Sequence, residues 1–410
     1  MNPHHADVLI IGAGPSGSVA AANLIRRGYS VLVLEKETFP RFSIGESLLP
    51  QSMGLLEEAN LLRAAVEAGF QYKNGAVFAR GERRTSFDFR DKHSEGWGTT
   101  YQVERGTFDK ALADAAAKLG AEIRYRHQID EAHPSEDGVR LKVTDLEGGS
   151  YEATGRFVLD ASGFARVLPR LLNLERPSLF PVRQAVFTHV RDNIGATVEF
   201  DRTKILITTH PKHVDVWYWL IPFSNGKVSV GVVASKAFFD GYPQEDLTSL
   251  LKSLHWEDPG LKQLLAQATW EMPARKLVGY AANVASLHGP GFALLGNAGE
   301  FLDPVFSSGV TIALKSASLS TACLHRQFGG ERIDWEAEYG KPLKRGVDVF
   351  RAFVESWYAG GFQNVLFHPR QEPRIRRMIS SILAGYAWDE TNPYVAEPRR
   401  LKTLEELCAV

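Results

Sequence analysis

Gly12-Ala-Gly14-Pro-Ser-Gly17 stands between an unbroken apolar run, Asp7-Val-Leu-Ile-Ile11, and an alanine-rich stretch from Ser16 to Arg27. That placement constrains the fold more than any other feature of the chain. The first glycine permits a tight strand-to-helix turn, the second lets backbone approach a pyrophosphate, and the third lets helix and strand pack closely. A second apolar run, Ser30-Val-Leu-Val-Leu34, ends at Glu35, where a carboxylate can accept both hydroxyls of a ribose. Apolar runs without alternation belong to parallel strands covered on both faces, so the chain opens as a Rossmann-like α/β nucleotide domain. Free N–H groups at the helix start would face the phosphates. Gly12, Ala13, Gly14, Ser16, Gly17 and Glu35 are therefore expected at a cofactor.

The chain leaves this pattern and returns to it. Residues 1–72, 101–175 and 276–330 read as three parts of a discontinuous nucleotide domain, with helices expected over Met53–Ala68, Thr107–Lys118 and Gly309–Gln327. Residues 73–100 and 176–275 read as an inserted antiparallel β-sheet domain. Its strands are expected at Ala76–Phe78, Thr85–Phe89, Gln184–Val190, Lys204–Thr209, Val214–Ile221 and Lys227–Val233, the last two joined by a Ser224-Asn225-Gly226 hairpin. Residues 331–410 read as a helical C-terminal region, with helices over Trp335–Tyr358 and Pro373–Ala387.

Charge and cysteine usage narrow the function. Lys and Arg number 47 against 48 Asp and Glu, so no broad field attracts nucleic acid or acidic lipid. Cys323 and Cys408 form no metal or redox motif, which points to no metal, no disulfide framework and a cytoplasmic location. No run reaches the ~18–20 apolar residues of a membrane helix, and Val8–Ile11 is a strand rather than a signal-peptide core.

Two further motifs carry chemistry. In Trp217-Tyr-Trp219-Leu-Ile-Pro222 the two tryptophans project from one face of a strand. In Phe301-Leu-Asp-Pro304-Val-Phe-Ser307-Ser-Gly309, small residues open the backbone just before a helix, where an anion is favoured by dipole and N–H groups together. With the glycine turn, and in this order, the motifs resemble those of flavin-dependent halogenases. The likeness is greatest to the phenol- and pyrrole-type branch and to halogenase-like FAD oxidoreductases, on a p-hydroxybenzoate-hydroxylase-like FAD fold. It runs from Val8 to about Leu314.

The resemblance implies FAD as the cofactor. It implies FAD contacts from Lys36, from Arg41, Glu46 and Ser47 in Phe39-Pro-Arg-Phe-Ser-Ile-Gly-Glu-Ser47, and from Arg105. It implies others from Asp160, Gly296, Asn297, Pro304, Gly309 and Val310. Asn297 stands where the family usually has Asp, which leaves hydrogen bonding and removes one negative charge. Halide would sit at Ser308 and Gly309. Lys73, just upstream of Gly75-Ala-Val-Phe78, would receive hypohalous acid and pass the halogen to an electron-rich aromatic or conjugated substrate. Trp217 and Trp219 would separate flavin from substrate. Phe306 occupies the place where tryptophan halogenases carry a glutamate, so a base must come from elsewhere or the substrate must be activated enough to need none.

Only one dinucleotide fingerprint occurs, so reduced flavin would come from a separate reductase using NADH or NADPH, or from NADPH bound transiently at the flavin. The bland alternatives remain open. Arg105 also reads, with less weight, as a surface arginine, Lys73 as a solvated lysine, the tryptophans as core, and the loop as a flavin neighbour that binds no halide. Phe350, Phe353, Trp357, Tyr358, Phe362 and Phe367 read as helix packing or as the roof of a substrate tunnel. Arg370, Arg374, Arg376 and Arg377 read as a solvated face or as a dock for a carrier protein holding the substrate. Rival functions are an FAD-dependent monooxygenase or dehydrogenase, and a non-catalytic flavoprotein in a biosynthetic complex.

Overall fold

The computed structural model describes residues 4–195, 197–242 and 246–409. Two sheets organise it. The first runs His288–Gly289, Phe292–Leu294, Ser150–Asp160, His5–Ile11, Val31–Glu35, Glu122–Tyr125. Its four central neighbours are parallel, and Val8–Ile11 and Val31–Leu34 are wholly buried, as their unbroken apolar character requires. The helix Pro15–Ile25 covers one face and packs beneath the long helix Gly309–Phe328. Small residues allow that approach, and Asn23 Nδ2 donates to Thr321 Oγ1 across it at 3.4 Å.

The second sheet runs Arg275–Val278, Arg183–Arg191, Lys227–Ser235, Trp217–Pro222, Lys204–Thr209, Gly75–Arg80, Arg83–Asp88. It is antiparallel except where Lys204–Thr209 lies parallel to Gly75–Arg80. The strand pattern and the 224–226 hairpin, with Gly226 at φ +78°, follow the sequence expectation. One face, carrying Ala185, Phe187, Ile207, Trp217, Trp219 and Ile221, joins the core shared with the nucleotide domain. The other, carrying Val186, Tyr218, Leu220 and Val230, has a core of its own.

Several elements differ from the expectation. Residues 176–275 are not all β: the helices Lys236–Asp240, Leu247–His255 and Pro259–Leu264 cover the outer face. Their start signals were present in Ser235, Asp246 and Asp258, each of which accepts first-turn N–H groups. The helix expected over Met53–Ala68 is two, Gln51–Glu58 and Leu62–Glu67, because Asn60 takes φ +59° and ends the first. A hairpin, His127–Ser135 with Gly138–Asp145, extends the first sheet antiparallel to the early half of Ser150–Asp160. In the C-terminal region, a π turn at Glu336–Gly340 precedes the helix Lys341–Ala359. Among the described residues, no helix is long and apolar enough to cross a membrane.

Candidate active site

A cavity of about 670 Å³ lies where the first sheet's glycine turn faces the tryptophan face of the second sheet. At its nucleotide end the glycines behave as their spacing requires. Gly12 takes φ +94°, and a Cβ there would stand 2.7 Å from the Ala161 carbonyl oxygen. A Cβ on Gly17 would stand 2.0 Å from the Gly12 carbonyl oxygen, so only glycine lets the helix approach the strand. Gly14 opens toward the Arg41 guanidinium and offers no side-chain cap to the helix it begins. The first-turn N–H groups are therefore free for an anion. Glu35 lines the same end, and its oxygens accept from Ala13 N–H at 2.8 Å and Glu37 N–H at 2.9 Å.

Gly12, Gly14, Ser16, Glu35, Lys36 and Arg41 thus line one end of a single cavity, and Glu46, Ser47, Arg105, Asn297, Pro304, Gly309 and Val310 line the other. Ala13, Gly17 and Gly296 shape the backbone behind the wall. So does Asp160, fully buried, with its carboxylate taken by the Ser162 and Leu168 N–H groups at 2.9 and 2.7 Å. An uncapped phosphate turn, a carboxylate at the second strand end and a long connected cavity suit FAD.

Arg105 is nearly buried and fastens the flavin-proximal loop. Its Nη1 donates to Ile44 O at 2.6 Å and Gly45 O at 3.3 Å, while Nε and Nη2 grip Asp109 at 2.8 and 3.1 Å. Asp109 is fully buried, and its only other ion-pair partner among the described residues is Arg41 at 3.4 Å. Arg105→Met is expected to cost about 3 kcal/mol, because breaking a buried pair strands the remaining charge. Denaturant unfolding checks this. An Arg105→Met/Asp109→Leu double variant should recover much of the loss, and additive effects would refute the coupling.

Beyond the flavin end, Pro304–Phe306 forms a single 3₁₀ turn, Ser307 takes φ +57°, and the helix Gly309–Phe328 begins with no side-chain cap. Ser307, Gly309 and Val310 line the cavity, whereas Ser308 is buried and does not line it. Phe306 packs into the C-terminal helices, edge-on to Trp357 at 5.9 Å and Phe362 at 5.5 Å. Phe350, Phe353, Trp357 and Phe362 are fully buried core, and none of them lines the cavity. Arg376 is no free basic side chain, because it donates to Ser86 O and lies over the Phe87 ring at 4.1 Å; Arg370, Arg374 and Arg377 are exposed.

Trp217, Trp219 and Ile221 line the cavity from the second sheet. Trp219 lies across Gly231 of the next strand and donates from Nε1 to Ser229 Oγ at 3.0 Å. Trp217 Nε1 donates to Tyr358 Oη at 2.9 Å, and Tyr358 in turn donates to Asp303 at 2.8 Å. Tyr280 donates to the same Asp303 oxygen at 3.2 Å. Burial pushes the Asp303 carboxyl up to about 6, against the opposing pull of these hydrogen bonds. This buried network joins Trp217, the loop that carries Asp303 and the helix Lys341–Ala359. The sequence reading passed over Asp303 and Tyr280 and took Tyr358 only as packing or roof.

Lys73 is buried to 1% and ends the short strand Gln71–Lys73. It does not line the cavity. Its Nζ donates to Ser47 Oγ at 2.8 Å and Leu48 O at 2.7 Å, so it stands one residue behind a cavity-lining serine. Desolvation lowers it to about 7. A neutral amine has two N–H donors, both satisfied here, and one free lone pair. On the other side of the same loop, His189 Nε2 meets Glu46 Oε1 at 2.5 Å. His189 was not singled out from sequence, since one histidine in an apolar strand carries no local signal.

The FAD binding domain family matches residues 5–280. A flavoprotein/dehydrogenase from Cytophaga hutchinsonii is 40% identical, with a TM-score of 0.95 over 99% of each chain. The flavin-dependent brominase Bmp2 is 25% identical, with a TM-score of 0.82 over 98% of this chain and 99% of its own. The 1H-pyrrole-2-carbonyl-(peptidyl-carrier protein) chlorinase of Pseudomonas fluorescens is 29% identical, over 94% of this chain and 90% of its own. Flavin-dependent halogenases are thus among its homologues, and the chain belongs to the FAD-binding-domain flavoproteins and is an FAD-dependent oxidoreductase.

Proposed function

We propose that this oxidoreductase halogenates an electron-rich aromatic or conjugated substrate, free or on a carrier protein, in secondary metabolism. The observation that carries the reading is Lys73: a buried amine, lowered to about 7, bonded to a serine of the cavity wall. When bound, reduced FAD supplies the activation of dioxygen from which halide is oxidised to hypohalous acid. The glycine turn, Glu35, Arg41 and the Asn297 loop hold the cofactor. The uncapped start of Gly309–Phe328 holds halide through backbone N–H groups. The Lys73 lone pair attacks the halogen of hypohalous acid, the O–halogen bond breaks, and the released hydroxide takes an amine proton to leave water and a haloamine. Alternatively Lys73 orients hypohalous acid by hydrogen bond, and in both cases Ser47 is its link to the cavity. Trp217 and Trp219 exclude water and keep the organic substrate apart from the cofactor. A separate reductase using NADH or NADPH supplies the reduced flavin, and the carrier-bound pyrrole in the chlorinase's name supports a tethered substrate.

A second reading, a flavin monooxygenase or dehydrogenase, is favoured by one observation: Lys73 does not itself reach the cavity wall. Mass spectrometry of reactions with FAD, a flavin reductase, NADH, bromide and a panel of phenols and pyrroles separates the two. Bromine isotope doublets above the no-enzyme control are expected. Oxygen addition indifferent to bromide would establish the second reading instead.

A further inference from the structure

Hypohalous acid attacks thiols and thioethers first, and then electron-rich rings such as phenols and indoles. The chain has 2 cysteines, 4 methionines and 12 tyrosines, and among the described residues none of them lines the cavity. The most electron-rich rings on its wall are the indoles of Trp217 and Trp219. Each is held by its nitrogen. Trp217 Nε1 donates to Tyr358 Oη at 2.9 Å and Trp219 Nε1 to Ser229 Oγ at 3.0 Å, and neither acceptor lines the cavity. A buried indole N–H needs such a partner, but here the partner also decides how the ring stands. Ring carbon Cδ1 is bonded to Nε1, so an N–H aimed into the protein carries Cδ1 away from the cavity with it. Cγ, the other end of the reactive double bond, is tied to the backbone through Cβ. Little is left for the cavity to meet: Trp217 exposes 1% of its surface and Trp219 4%. The acceptor on Tyr358 is itself directed. Its one proton goes to Asp303 at 2.8 Å, which leaves the oxygen lone pairs to the indole, and the Arg183 guanidinium lies over the ring at 3.5 Å.

We propose that Tyr358, directed by Asp303, and Ser229 are positioning residues that keep the reactive edges of the two wall tryptophans away from the cavity, so that the wall withstands the oxidant formed inside it. This rests on the halogenase reading for the source of that oxidant. The reaction held off is halogenation of the wall itself. In it the Cγ–Cδ1 electron pair of an indole attacks the halogen of hypohalous acid, and the O–halogen bond breaks. Hydroxide leaves, takes the proton displaced from Cδ1 and becomes water, and a haloindole remains. A wall so altered gains a halogen's bulk where cofactor and substrate are kept apart, and each such event removes one enzyme molecule from turnover.

The test adds the oxidant from outside, so it does not depend on whether this protein makes any. FAD-loaded protein is treated with small doses of hypobromous acid and digested, and each tryptophan peptide is followed by mass spectrometry. Trp97 and Trp256, 38% and 41% exposed, serve as references. They are expected to take bromine while Trp217 and Trp219 stay unmodified. Tyr358→Phe should raise bromination of Trp217 about 5-fold and leave Trp219 unchanged, since loss of one hydrogen bond frees one ring. Ser229→Ala should do the reverse. General loosening of the fold does not produce that crossed pattern. Equal labelling of wall and reference tryptophans in the unaltered protein overturns the proposal. So does a pair of variants that changes neither indole, or that raises both together with the fully buried Trp357. A crossed pattern in a protein that yields no halogenated product keeps the shielded wall and removes the halogenase reading. Halogenated product from a protein whose wall indoles label freely does the opposite.

Discussion

Lys73→Met is expected to lower halogenated product by about 100-fold or more, while the protein stays folded and FAD-loaded. Methionine fills nearly the same volume and carries no charge. Replacing a buried charge by a well-packed apolar side chain is commonly neutral or stabilising, so thermal stability should hold or rise as activity disappears. That divergence is what a reactive group placed against the interest of the fold predicts. The pH dependence has a definite sign. Only the neutral amine has a free lone pair, so single-turnover halogenation should rise through an apparent pKa near 7 and level off above it. The stability term runs over a different window. The lysine falls from 10.5 to about 7 on folding, so its penalty is full below about 7 and fades as pH rises toward 10.5. An active Lys73→Met variant with an unchanged pH profile would end the role assigned to this residue.

Gly231→Val should damage the second sheet severely. A Cβ at Gly231 would stand 2.2 Å from Trp219 Cζ2 and 2.3 Å from Cη2, in the middle of the indole. Gly231 and Trp219 are direct cross-strand partners in a fully paired ladder, so the backbone cannot retreat and the ring must leave. Overpacking of a close-packed interior costs about 1–3 kcal/mol, and the indole also gives up its bond to Ser229. The displaced ring would enter the cavity it now lines. Expected results are a blunted thermal transition, altered quenching of tryptophan emission by bound flavin, and loss of substrate binding. A variant that keeps wild-type emission and affinity would show that the wall tolerates repacking.

How much of this was legible beforehand differs by kind of signal. The nucleotide turn was read correctly because each glycine answers a local steric demand that no other residue meets. Most strands of the second sheet could be read from apolar runs and one Asn-Gly turn, but their order, with Lys204–Thr209 parallel to Gly75–Arg80, could not. The helices at 236–264 were passed over although Ser235, Asp246 and Asp258 announced their starts, because strand periodicity on either side set the expectation. Asp160 was placed at the cofactor by motif position, whereas its carboxylate holds the Ser162 and Leu168 N–H groups behind the wall. His189 and Asp303 could not be found from local pattern at all. Each acquires its meaning from a partner far along the chain, Glu46 for one and Tyr358 for the other, and neither partnership leaves a periodic trace.

The chain of hydrogen bonds from Trp217 through Tyr358 to Asp303 sets a rule for recombining this protein with its relatives. Position 217 belongs to the inserted sheet, 303 to the returning nucleotide domain and 358 to the terminal helices, so the obvious crossover points all fall between them. A hybrid that takes the terminal helices from one parent and the sheet from another inherits half of a three-part lock. Segments that look exchangeable by domain must therefore be exchanged as a trio.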